Sequence, residues 1–149
     1  MGLLEREVQL AALASWLREA ADEGGRLAFV SGEAGAGKSA LVSDFCSALP
    51  GDVLVHWGAC EPLSVPRPLV PLVDMAPSLD ARILELLRRG DRHGVFTATL
   101  DLLQFLARRI RSLRVLVVVT HRDERFGPLG TLLGDVVSLG VVRRLSVPP

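Results

Sequence analysis

Lysine is nearly missing from this chain. Of its 17 basic residues only Lys38 is a lysine, and the other 16 are arginines. Cysteine is scarce as well: Cys46 and Cys60 stand far apart without metal-ligand spacing, and they read as buried free thiols of a cytoplasmic protein, with a disulfide as the minor alternative. No apolar run approaches the length needed to span a bilayer, so no membrane association is expected. The start of the chain has Glu5, Arg6 and Glu7 where a leader would need a basic stretch followed by an apolar one. A formal net charge of zero builds in no long-range attraction to nucleic acid, so direct nucleic-acid binding is not expected. There is no internal repeat, coiled-coil pattern or low-complexity tract. What remains is a chain of 149 residues, 49% apolar and 23% charged, with material for one sizeable core and a length that fits one domain.

Hydrophobic periodicity divides the chain into alternating elements. Leu3, Leu4, Val8, Leu10, Ala11, Leu13, Ala14 and Leu17 give a helical stripe over Leu3–Ala21, ended by Glu23-Gly24-Gly25. Arg26–Ser31 is a short apolar strand, and Ser39–Leu49 is helical. Pro50-Gly51-Asp52 is a turn, and Val53–Ala59 a second strand on which His56 and Trp57 serve packing. Cys60–Pro77 holds five prolines and is expected to be mostly loop. Helices are expected over Leu79–Arg89, Phe96–Ile110 and Pro128–Leu139. The β-branched run Val115–Val119 is a strand expected to be buried on both faces, and Val141–Leu145 is a last strand. Strands that alternate with helices imply an α/β fold: three layers around a small, mostly parallel sheet of about four strands.

The segment Gly32-Glu33-Ala34-Gly35-Ala36-Gly37-Lys38-Ser39 follows the first strand and opens the next helix. A polyphosphate needs many donors at close range, and backbone N–H groups converge on it only where the chain turns tightly and side chains stay out of the way. The three glycines permit that path, and Ala34 and Ala36 add little bulk. Lys38 offers a compact charge on a thin stem for the β- and γ-phosphates, where a planar guanidinium would not fit. Ser39 offers a hydroxyl to Mg²⁺, and Ala40 completes the first turn of the helix. An ordinary glycine-rich turn is the alternative, but chance produces this pattern in such a chain only about once in a thousand. The expected ligand is therefore a purine nucleoside triphosphate, ATP with Mg²⁺.

Hydrolysis needs an acid at the end of a neighbouring strand to hold the metal shell and orient water. Two carboxylates are candidates. Asp74 ends an apolar run interrupted by Pro71, which would break a central strand. Asp123 lies three residues past Val119, and Thr120 stands where the acid belongs. Both carboxylates also fit solvated loops. Arg122 and Arg125 could reach a γ-phosphate, although exposed loop arginines are common. Asp101 fits the polar face of its helix.

Taken in order, Leu3-Leu4-Glu5-Arg6-Glu7, the glycine-rich loop, Gly58–Ser64 with Pro66 and Pro68, Ala98–Arg109 and Val115–Glu124 resemble one family. It is the ATP-binding domain of AAA/STAND-type regulators, as found at the N-terminus of LuxR-type transcriptional activators. The resemblance spans nearly the whole chain and implies nucleotide binding. Two departures limit what it implies. In the family an apolar strand ending in paired acids precedes the Ala98–Arg109 helix, whereas here Gly94-Val95-Phe96-Thr97 leads straight into it. The family also continues into a helical lid and a DNA-binding helix-turn-helix, and this sequence stops at Pro149. Hydrolysis and DNA binding are thus not implied. With the acidic strand gone, Val53–Ala59 is expected to pair directly with Val115–Val119, giving the strand order second, third, first, fourth. The competing functions are a small P-loop kinase, which needs an acceptor-activating acid and an arginine-rich lid, and a non-catalytic interaction module that keeps the fold without the nucleotide.

Overall fold

The computed structural model describes residues 2–58, 104, 107–122 and 128–149. The chain forms two compact units, Met1–Pro50 with Gln104–Pro149, and Gly51–Leu103. Every regular element below belongs to the first unit. The chain order is α1 (Gly2–Asp22), β1 (Arg26–Ser31), α2 (Lys38–Ser47), β2 (Leu116–His121), α3 (Pro128–Val137) and β3 (Val142–Ser146). Residues 107–109 are helical and tighten into a 3₁₀ turn over Ile110–Ser112 before β2. The expected helix Leu79–Arg89 lies outside the described residues.

β1 is the centre of a three-stranded parallel sheet in the order β2-β1-β3. Arg26 stands opposite Leu116 and Ser31 opposite His121 on one side; Leu27 stands opposite Val142 and Ser31 opposite Ser146 on the other. Side chains alternate across the sheet. Val30, Val118 and Leu145 therefore share the face on which Leu13 of α1 and Leu41 and Phe45 of α2 are buried, with Val147 beside them. The opposite face of β1 buries Leu27 and Phe29. Two layers are explicit in these contacts, the sheet and the α1/α2 pair.

Four expectations are corrected. The sheet has three strands among the described residues, not four, because residues 53–58 adopt no strand. Leu54 is 85% exposed, and Val55, His56 and Trp57 are exposed too, so neither His56 nor Trp57 serves packing. An apolar β-branched run has strand propensity, but a strand forms only where a ladder partner presents an edge. β2 is only half-buried over Leu116–Val119 instead of buried on both faces. β1 takes the central place, and a flanking strand keeps more accessible surface. Along α1 the buried line runs through Gln9, Leu13 and Ala20, while Val8, 70% exposed, and Ala11 face solvent. Gln9 tolerates burial because its Nε2 donates to the Ser146 carbonyl at 3.1 Å.

At the starting end of the strands an arginine is buried. The Arg26 side chain, 8% exposed, donates from Nε to Glu19 Oε2 at 3.2 Å and from Nη2 to Glu23 Oε2 at 2.9 Å. It also donates from Nη1 to the carbonyls of Gly24 and Gly25. Arg143 of β3 donates to the same Glu19 oxygen at 2.6 Å. Two guanidinium groups sharing one carboxylate tie α1, β1 and β3 together, and the carbonyls complete the donor fork. Burial alone would raise the Glu19 carboxyl, but the hydrogen bonds and charges of Arg143 and Arg26 outweigh it and hold the group below its ordinary value of 4.5. A carboxyl depressed in the folded state adds stability above its unfolded value and loses it as pH falls through the folded one. Glu19→Gln is expected to cost about 1–3 kcal/mol near neutral pH. In urea unfolding the deficit should shrink as pH drops below about 4.5; a deficit that persists undiminished at pH 3 would contradict the assignment.

Candidate functional site

The glycine-rich loop leaves β1 at Ser31 and enters α2 at Lys38. Its path depends on backbone angles that side-chain-bearing residues avoid. Gly35 has φ +81° and Gly37 φ +82°, both in the left-handed region. Gly32 answers a different need, close approach: a Cβ there would stand 2.7 Å from the carbonyl oxygen of Val147. Val147 is held at that spot by its own N–H, which donates to the Ser31 carbonyl at 2.8 Å. Inside the loop the Ala36 N–H donates to the Glu33 carbonyl at 3.2 Å, closing a turn.

The helix that follows gives the loop its electrostatics. Gly37 caps α2 without a side-chain bond, and the first intrahelical backbone bond runs from the Leu41 N–H to the Gly37 carbonyl at 2.9 Å. The N–H groups of Lys38, Ser39 and Ala40 have no acceptor within the helix and point out of its N-terminus. The first turn of α2 contains no acid, so nothing in that turn neutralises the partial positive charge of the helix end. Ser39 and Ala40 are exposed there, as are Glu33, Ala34 and Gly35; Ala36 and Lys38 are half-buried.

Lys38 is bonded within the loop itself. Its ammonium donates to the Gly32 carbonyl at 2.8 Å and to the Glu33 carbonyl at 2.7 Å. The loop therefore leans on the lysine side chain, which the spacing of the motif by itself does not reveal. These two bonds close the loop from within and direct its carbonyls toward the cation.

The neighbouring strand end completes the surroundings. Register places Thr120 beside Val30 and His121 beside Ser31, so β2 brings a hydroxyl and an imidazole, not a carboxylate, alongside the start of the loop. His121 Nδ1 lies 2.7 Å from the Arg122 carbonyl, and since a carbonyl only accepts, Nδ1 carries the proton. Its ring meets Phe29 edge-on at 6.1 Å. Asp123, Asp74, Arg125, Asp101 and Cys60 lie outside the described residues. Cys46 is a half-buried free thiol, not a fully buried one, and burial raises it. No group of three or more His, Cys, Asp or Glu suited to a metal ion occurs among the described residues. Within that same set, no helix is long and apolar enough to cross a membrane.

One residue at the site was not anticipated. Arg6 of α1 brings Nη2 against Gly37, within 2.9 Å of where a Cβ there would stand. Its Nη1 lies 3.7 Å from Asp44 Oδ2 on α2. Arg6 is far from the loop in sequence, and the only hint of it was its place in the opening segment.

The loop glycines should tolerate alanine unequally. Gly35→Ala meets open space and carries only the dihedral cost, about 1–2 kcal/mol. Gly32→Ala adds a collision with the backbone of Val147, which cannot swing aside without losing its bond to Ser31. Denaturant midpoints are expected to fall further for Gly32→Ala than for Gly35→Ala, and the reverse order would refute the close approach.

Comparison with curated proteins and with solved structures gives no match. The family described as AAA ATPase domain matches residues 2–94, which include α1, β1, the glycine-rich loop and α2. The match covers more than half of the chain and contains the loop in the place the geometry gives it, between a central parallel strand and a helix N-terminus; on these grounds the chain belongs to the AAA ATPase domain family.

Proposed function

We propose that this chain binds ATP with Mg²⁺ on the loop Gly32–Ser39, with Ala40 in the first turn behind it, as a regulatory nucleotide-binding domain of the STAND type. The observation that carries this reading is the loop itself: two left-handed glycines turn the backbone ahead of an α2 N-terminus that carries no acid in its first turn. N–H groups and helix charge of this kind suit a polyphosphate. Lys38 holds two loop carbonyls with two of its three N–H donors, and a bound phosphate tail would compete for the ammonium. The exposed Ser39 hydroxyl at the helix start fits a hard cation, which takes oxygen ligands. Mg²⁺, when bound, would neutralise phosphate charge at that position.

Hydrolysis is proposed to be weak or absent. The strand end beside the loop supplies Thr120 and His121 where a metal-holding carboxylate would be needed. Asp123 and Asp74 are the acids that could overturn this. The architecture proposed is the three-layer P-loop form, and the relationship to LuxR-type regulators belongs to the same proposal.

Titration with a fluorescent ATP analogue, with and without Mg²⁺, tests the reading directly. Lys38→Ala is expected to weaken binding by about a hundredfold or more, consistent with losing a charge-assisted contact to phosphate. Because Lys38 also braces the loop, circular dichroism must show the helix content retained, and Lys38→Arg should not restore affinity. Unchanged affinity in Lys38→Ala would refute the assignment. Phosphate release is expected to stay well below about one per second. Faster turnover that Asp123→Asn abolishes would identify Asp123 as the missing acid.

A further inference from the structure

We propose that Arg6 is a second phosphate-binding cation that exchanges partners when nucleotide binds, leaving Asp44 for the phosphate tail and so coupling loop occupancy to α1. This deepens the nucleotide-binding reading and rests on it. The guanidinium lies against Gly37, the residue immediately before Lys38, at the point where the loop becomes helix. It arrives there from α1, a separate element, so the site contains a second cation that the loop does not supply.

Its present partner holds it loosely. Arg6 Nη1 and Asp44 Oδ2 are 3.7 Å apart, well beyond the roughly 2.7–2.9 Å of a tight charge-assisted bond. The side chains are 43% and 58% exposed, so solvent screens the pair, and a more highly charged anion can displace the carboxylate. A polyphosphate carries more charge than a carboxylate and presents oxygens suited to a planar guanidinium fork. An anion seated on the α2 N-terminus would therefore outbid Asp44, which lies further along the same helix. Arg6 stands on a helix whose Leu13 packs with Leu41 and Phe45 of α2, so a change at the loop reaches α1 through both charge and packing.

A double-mutant cycle on the full chain tests this, read as affinity for the fluorescent ATP analogue and for competing inorganic tripolyphosphate. Arg6→Ala is expected to weaken both by about five- to tenfold, and Arg6→Lys to recover part of the loss. Asp44→Asn is expected to tighten binding in the otherwise unaltered chain, because Arg6 is released, and to have little effect once Arg6 is alanine. Affinity within twofold of the original in Arg6→Ala, or an equal gain from Asp44→Asn in both backgrounds, would overturn the exchange while leaving nucleotide binding intact. An unaltered chain that binds neither probe would overturn the function proposed above and the exchange together. Should Arg6→Ala melt below the assay temperature, Arg6→Lys and Asp44→Asn carry the test: Asp44→Asn without any tightening refutes the exchange.

Discussion

A β-strand has two edges, and both edges of Arg26–Ser31 are taken in parallel register, one by Leu116–His121 and the other by Val142–Ser146. This double pairing is the constraint on which the remaining structure depends. It buries the central strand on both faces and delivers Ser31 to a fixed point at the sheet's carboxyl end. From that point the glycine-rich loop must begin. Val147 leaves the neighbouring strand across Gly32 and bonds to the Ser31 carbonyl, so the loop's first residue is packed from the moment it leaves the sheet. Gln9 adds a strut from α1 to the Ser146 carbonyl at the same end. The loop is thus mounted on a rigid base, which fixes where its backbone begins.

The two ends of the sheet carry charge differently. At the starting end Arg26 is buried and matched by Glu19, Glu23 and two carbonyls, with Arg143 sharing Glu19, and every donor there answers an acceptor of the protein itself. Such a network holds elements in place. At the other end the cations are more exposed and no carboxylate holds them closely: Lys38 is bonded to two neutral loop carbonyls, and Arg6 stands 3.7 Å from Asp44. Cations whose charge no carboxylate closely matches attract an anion, and the α2 N-terminus adds its partial charge to theirs.

The loop was the most legible part of the chain because its chemistry is local. Glycines at the required spacing, the sole lysine and the following serine lie within eight residues, and their backbone angles follow from residue type. The helices α1 and α2 and the strand Arg26–Ser31 were legible for a related reason, since periodicity and turn residues mark them without reference to distant partners. Where reading by pattern failed, the deciding quantity was a partner elsewhere. The run Val53–Gly58 has strand composition yet no ladder, and Leu54, Val55 and Trp57 face solvent. Val8 was assigned to the core stripe of α1, but Gln9 took the buried side because a strand carbonyl was there to satisfy its amide.

The sequence by itself determined the loop and its position between a strand and a helix, because these depend on near neighbours in the chain, and it set the α/β class through the alternation of strand and helix patterns. Only the tertiary structure decided that residues 53–58 join no strand ladder, that His121 lies beside Ser31, that Lys38 braces the turn it belongs to, and that Arg6 reaches Gly37. Each of these is a pairing between groups whose separation along the chain says nothing about their distance in space, and register and packing alone set that distance.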